Sequence, residues 1–192
     1  MILLLDLAYE KDSLSQYEFV HPIADSVRRR GCSYEILHFS EVESIGEVKS
    51  AGTERYDKII LCGTALKDNV FRGQIDSFSW IKEFVGCILG ICAGMQVIGS
   101  VFGGEIIPQA DIGLKKIDIV RETPLLGEPR QIEGYHLHSY GVTLPDGFQL
   151  VAGKSDYVEA FKHQDRPIYG ILFHPEVRNR WMVERFVQIN PH

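Results

Sequence analysis

The sequence predicts an α/β fold with a mostly parallel central sheet, helices on both faces, and a smaller antiparallel strand section in the C-terminal half. Two observations carry that expectation. In the first half, apolar runs without polar alternation (residues 1–7, 56–62 and 87–91) are separated by helix-like stripes, and strands with no polar face are those buried on both sides of a parallel sheet. From about Gly103 onward glycine and proline become denser, and strand-like segments follow one another with short connections, which favours antiparallel pairs.

The elements follow in order. Residues 1–7 read as a strand, and residues 14–30 carry Phe19, Val20, Ile23, Ala24 and Val27 at helical spacing before stopping at Gly31. Arg28, Arg29 and Arg30 then occupy a last turn, where cations offset the helix dipole, a structural role rather than an anion site. Residues 33–39 are β-rich, and residues 40–53 are polar with a partly helical pattern. The strand over 56–62 ends at Gly63, and residues 74–85 place Ile75, Phe78, Ile81, Phe84 and Val85 on a helical stripe. Strands are expected over 115–121, 149–152, 157–162 and 168–173, and a closing helix over 177–189.

Composition bounds the function. The chain has 192 residues and a net charge of −6, with no like-charge block longer than Arg28–Arg30, so counterion-driven nucleic-acid binding is not expected. The N-terminal apolar run ends at Asp6, too short for a signal-peptide core or a membrane span. Four cysteines (Cys32, Cys62, Cys87, Cys92) lie at irregular spacings without a CxxC pair, which suggests reduced thiols in the cytoplasm. With no repeat or linker, residues 1–192 are expected to form one domain.

The most informative segment is Gly90-Ile91-Cys92-Ala93-Gly94, between a buried strand and a helix opening at Met95-Gln96. It has the form of a nucleophile elbow, a tight turn that presents its central side chain at the sheet edge, with a helix N-terminus behind it that favours thiolate. The Ala93 amide then points toward an oxyanion formed by attack at Cys92. A thiolate nucleophile needs a base, and the base an orienter. The strand ending at Phe173 delivers His174-Pro175-Glu176, which supplies both in one turn. His136-Leu137-His138 puts two imidazoles on one strand face, yet no third ligand is spaced nearby, so no metal is expected; a loop of substrate-binding and solvent-facing residues is the preferred reading.

GICAGMQ followed by YGILF-HPE resembles the class I, triad glutamine amidotransferases. The resemblance implies a flavodoxin-like glutaminase fold, with Cys92 as nucleophile, His174 as base and acid, and Glu176 as its orienter. It implies that Gln96 contacts the bound glutamine, that His138, Ser139 and Tyr140 form a loop gripping the amino-acid end, and that Gly63 and Thr64 join Ala93 in the oxyanion hole. One departure stands out: Thr64 and Ala65 replace the second glycine and the proline of the family's Gly-Gly-Pro turn. The donor amide then falls on a residue that resists positive φ, and losing one such donor typically costs about 10²–10³ in rate.

The implied function is hydrolysis of L-glutamine to glutamate and ammonia through a cysteine thioester, with no cofactor. No ATP-binding loop is present, so the ammonia would pass to a separate ATP-using synthetase subunit. Residues 138–152 are similar to the corresponding stretch of GMP synthase glutaminases, which tilts the acceptor toward purine biosynthesis and the kind of free-standing subunit found in archaea. Two alternatives remain at this level: a partner-independent hydrolase of γ-glutamyl compounds, and a catalytically silent binding subunit suggested by Thr64 and Ala65.

Overall fold

The computed structural model describes residues 1–42, 49–50 and 53–190. Nine strands form one sheet: β1 (Ile2–Asp6), β2 (Tyr34–His38), β5 (Lys58–Leu61), β6 (Cys87–Ile91), β7 (Ile106–Ile119), β8 (Arg130–Val142), β9 (Phe148–Lys154), β10 (Tyr157–His163) and β11 (Ile168–Ile171). Two short strands, β3 (Lys49–Ser50) and β4 (Thr53–Glu54), pair with each other apart from it. The order across the sheet is β2-β1-β5-β6-β11-β10-β9-β7-β8. The first five of these run parallel, and β10, β9, β7 and β8 continue the same sheet antiparallel.

The sheet is therefore mixed rather than mostly parallel, and the antiparallel section is not the smaller part: it holds the two longest strands, β7 and β8. The sequence underrates this hairpin because Pro108, Gly113, Gly134 and Gly141 read as breaks in a strand pattern. The structure absorbs Pro108 at a register shift between Pro108 and Asp111, the kind of bulge where proline is tolerated.

Both faces of the parallel half are covered, which is why its strands carry no polar alternation. Leu4, Ile60, Leu89 and Ile91 pack in one layer with α1 (His21–Arg29) and α3 (Trp181–Phe186). Leu3, Leu5, Ile59, Leu61 and Ile88 pack in the other with α2 (Ala93–Val101) and the stretch Val70–Lys82. A π-helical turn, Gln16–Val20, leads into α1, where Pro22 sits in the first turn without costing a hydrogen bond. The helix closes through Arg30 onto Gly31 at φ 71°.

Three expectations change in detail. Val70–Lys82 is 3₁₀-type with a kink at Gln74, and Val85 is exposed rather than on its buried stripe. Ser77 turns its hydroxyl onto the Gln74 carbonyl at 2.7 Å, the competition with the backbone that weakens α-helix. The closing helix is confined to Trp181–Phe186. Of the partly helical pattern over 40–53, residues 43–48 and 51–52 lie outside the described residues; Phe39–Glu41 form one 3₁₀ turn. Among the described residues no helix is long and apolar enough to cross a membrane.

Candidate active site

The parallel arrangement brings the C-terminal ends of β5, β6 and β11 side by side, and each delivers one part of the site. Cys92 follows β6 directly. Its backbone sits at φ 50°, ψ −102°, a conformation costly for a residue with a β-carbon and characteristic of functional turns. The chain is held there from both sides: the Cys92 N–H donates to the Ile171 carbonyl at 2.8 Å, and its carbonyl accepts from the Gln96 N–H at 3.1 Å as α2 begins. The small residues are required by contact. A β-carbon on Gly94 would stand 2.2 Å from the Leu61 carbonyl oxygen, and one on Gly90 2.5 Å from the Gly94 backbone.

β11 runs on through Leu172 and Phe173 to His174. The His174 N–H donates to the Tyr135 carbonyl at 2.8 Å, fixing the residue against β8. Beyond Pro175 the chain folds back so that Glu176 Oε1 meets His174 Nδ1 at 2.7 Å, with both side chains buried. A carboxylate accepting from Nδ1–H leaves Nε2 as the ring's lone-pair nitrogen, and His174 Nε2 has no hydrogen-bond partner among the described residues. Burial opposes the imidazolium, but the adjacent Cys92 and Glu176 outweigh it and hold His174 well above the ordinary histidine range. A thiol, a strongly basic imidazole and a buried carboxylate can together act as nucleophile, general base and orienter.

After β5, Gly63 packs against the imidazole so closely that a β-carbon there would lie 2.7 Å from His174 Cε1. Thr64 avoids positive φ, which only Asp12 and Cys92 adopt among the described non-glycine residues. Instead Thr64 Oγ1 donates to the Asp68 carbonyl at 3.0 Å and the Asp68 N–H to the Ala65 carbonyl at 2.8 Å, closing a turn. This turn, Cys92, Ala93 and Gln96, and residues 137–140 of β8 line a narrow recess open to solvent. Gln96 crosses its floor, its Nε2 donating to the Tyr140 carbonyl at 2.9 Å. Ala93, first in α2, offers an amide with no intrahelical partner.

Thr64, Cys92, Ala93, Gln96, His138, Ser139 and Tyr140 thus line one recess, whereas Gly63, His174 and Glu176 lie outside its lining, with Gly63 against both the His174 ring and the Cys92 β-carbon and Glu176 on the far nitrogen of that ring. His138, Ser139 and Tyr140 correct the expectation of a loop, because they lie within β8. His136 and His138 are buried at 0% and 2% exposure rather than solvent-facing. His136 Nδ1 meets His138 Nε2 at 3.0 Å, His138 Nδ1 meets the Gln109 carbonyl at 2.7 Å, and His136 Nε2 lies 3.4 Å from Glu159 Oε1. Each imidazole nitrogen of the pair therefore faces a polar group of the protein itself. Cys32, Cys62 and Cys87 are unpaired thiols, the latter two buried.

Asp68, Gln109 and Glu159 were not anticipated. Each is buried through a partner on another strand or loop, and no local spacing in the sequence signals that. Asp68, for example, accepts from the Tyr9 N–H, 59 positions away, at 2.7 Å.

Comparison with known proteins identifies the family. A family model described as class-I glutamine amidotransferase matches residues 12–188. The glutamine-hydrolyzing GMP synthase subunit of Pyrococcus furiosus is 35% identical over 168 residues, covering 83% of this chain and 85% of that protein. Its namesake from Methanocaldococcus jannaschii is 41% identical over 170 residues, covering 83% and 84%. A crystal structure from Thermoplasma acidophilum superposes with a TM-score of 0.79 at 24% identity, covering 98% of this chain and 93% of that one. A glutamine amidotransferase from Thermotoga maritima follows at 0.68 and 19% identity, covering 98% and 81%.

Proposed function

The chain belongs to the class-I glutamine amidotransferases, and from that membership we propose that it hydrolyses L-glutamine through a thioester on Cys92 and releases the ammonia to a separate synthetase subunit. The observation that carries the residue assignment is the 2.7 Å contact of His174 Nδ1 with Glu176, on an imidazole that Cys92 lies close enough to make more basic.

His174 takes the Cys92 proton, and the sulfur attacks the side-chain amide carbon. The tetrahedral oxygen is met by the Ala93 N–H and by the backbone of the Gly63–Thr64 turn. The C–N bond breaks as the imidazolium protonates the leaving nitrogen, giving ammonia and the γ-glutamyl thioester. Water, deprotonated by the same Nε2, adds to the thioester carbonyl, and collapse returns the proton to sulfur and frees glutamate. Glu176 holds the imidazole's tautomer and stabilises the charge it takes on. Gln96, His138, Ser139 and Tyr140 shape the end of the recess that takes the amino-acid part of glutamine.

The relatives named as GMP synthase subunits favour a synthetase that aminates a purine nucleotide using ATP. Residues 1–192 serve as one glutaminase unit in the cytoplasm in this reading, where its unpaired thiols are stable. The deciding assay measures glutamate and ammonia from L-glutamine, alone and with the cognate synthetase. Wild-type turnover that vanishes in Cys92→Ala is expected; retained turnover in that variant overturns the nucleophile assignment.

A further inference from the structure

We propose that Asp68 binds the substrate's α-ammonium group and thereby gives the recess its preference for amides that carry a free α-amine. This rests on the glutaminase reading above, which places the reacting amide at Cys92, in the lining of the same recess as Asp68.

Asp68 is 9% exposed and is fixed from three directions. Its N–H donates to Ala65, its carbonyl accepts from Thr64 Oγ1, and Oδ2 accepts from the Tyr9 N–H. Only Oδ1 is left, buried and without a partner among the described residues. Gln96 repeats the pattern across the recess: it is 3% exposed, Nε2 is committed to the Tyr140 carbonyl, and Oε1 has no partner among the described residues. The recess therefore has two unmatched buried side-chain acceptors, one of them from a carboxylate. Leaving such atoms unpaired is costly, and native proteins rarely do so without a ligand, ion or water to meet them. An ammonium is the complement, bringing positive charge and three donors; a hydroxyl or a neutral acyl-amide nitrogen brings one donor and no charge. The Arg72 guanidinium, outside the lining itself, lies over the ring of the lining residue Tyr140 at 3.8 Å.

Asp68→Asn separates this role from a structural one. Its amide oxygen still accepts from Tyr9, while its NH₂ replaces the unmatched acceptor with a donor. Hydrolysis of L-glutamine is compared with that of 4-carbamoylbutanoate, which is glutamine without its α-amine, and melting temperature reports folding. The expected result is a rise in KM for glutamine of roughly 10–100-fold, the worth of one charge-assisted hydrogen bond, with 4-carbamoylbutanoate hydrolysis unchanged. An unchanged KM for glutamine, or an equal fall for both substrates, overturns the proposal. Calorimetry of L-glutamine binding to Cys92→Ala, with and without Asp68→Asn, keeps the two readings apart. Binding by Cys92→Ala that Asp68→Asn abolishes supports the Asp68 role even if the wild type never turns glutamine over, a result that would fell only the glutaminase reading. Equal binding by both proteins, or none by Cys92→Ala, overturns the Asp68 role.

Discussion

His136 and His138 hydrogen-bond ring to ring at 3.0 Å inside the sheet, and the partner of each decides where the protons sit. The Gln109 carbonyl can only accept, so His138 donates from Nδ1 and receives His136 Nδ1–H at Nε2. His136 Nε2 then turns its lone pair toward Glu159 Oε1, 3.4 Å away, with no hydrogen bond between them. Burial pushes Glu159 up to about 7 and His136 down to about 4.

A stability signature follows from the sign of the Glu159 shift. Its ordinary value of 4.5 is raised on folding, so the native state disfavours the carboxylate. The cost is absent below about pH 4.5 and complete above about pH 7. Glu159→Gln, whose amide can donate to His136 at every pH, is expected to be more stable than wild type by roughly 1–3 kcal/mol at pH 8 and equal to it near pH 4.5. Urea unfolding at the two pH values measures this, and a pH-independent difference would refute the burial cost of the Glu159 carboxylate.

Gly63→Ala tests the close approach beneath the catalytic imidazole. Gly63 does not use positive φ, so the backbone tolerates alanine, but the new methyl would lie 2.7 Å from His174 Cε1. The ring must shift by some tenths of an ångström or more, and misplacement on that scale costs on the order of 10²-fold in rate. The expected outcome is a loss of about that size in kcat/KM with a folded protein by circular dichroism.

Glu176→Gln keeps an acceptor for Nδ1 and removes the charge that helps raise His174. Thiolate formation at Cys92 weakens and the ring is free to adopt the wrong tautomer. Loss of kcat on the order of 10³-fold is expected, by analogy with neutralised triad carboxylates. Alkylation of Cys92 by a chloroketone analogue of glutamine should slow in parallel; undiminished alkylation would show that Glu176 does not tune the site.

Gln96→Ala strands the Tyr140 carbonyl, which now accepts from Gln96 Nε2. The expected cost is about 1–3 kcal/mol of stability and a raised KM for glutamine, read from chemical denaturation and steady-state kinetics. A change in KM without any stability change would mean that water replaces the amide.

These sites differ in how much of them is legible in the chain. The doubly buried strands β1, β5 and β6 announce themselves as unbroken apolar runs, and Cys92 and the His174–Glu176 pair are local patterns because the chemistry fixes their spacing. β8 hides for the opposite reason. Its inward positions include His136 and His138, whose burial is tolerable only through Gln109 and Glu159 on other strands, so the apolar alternation that marks a strand is missing. Asp68 is obscured in the same way by its dependence on Tyr9.

The position of β11 also orders the making of the protein. It is the last strand in the chain, yet it is inserted in the middle of the sheet, parallel to β6 and antiparallel to β10. A growing polypeptide that has not yet delivered Ile168–Ile171 holds two unjoined half-sheets with exposed edges, the aggregation-prone situation of late non-local pairing. The strand that zips them together also carries His174 at its end and accepts the Cys92 N–H through Ile171. Sheet closure and the meeting of Cys92 with His174 therefore arrive in one event.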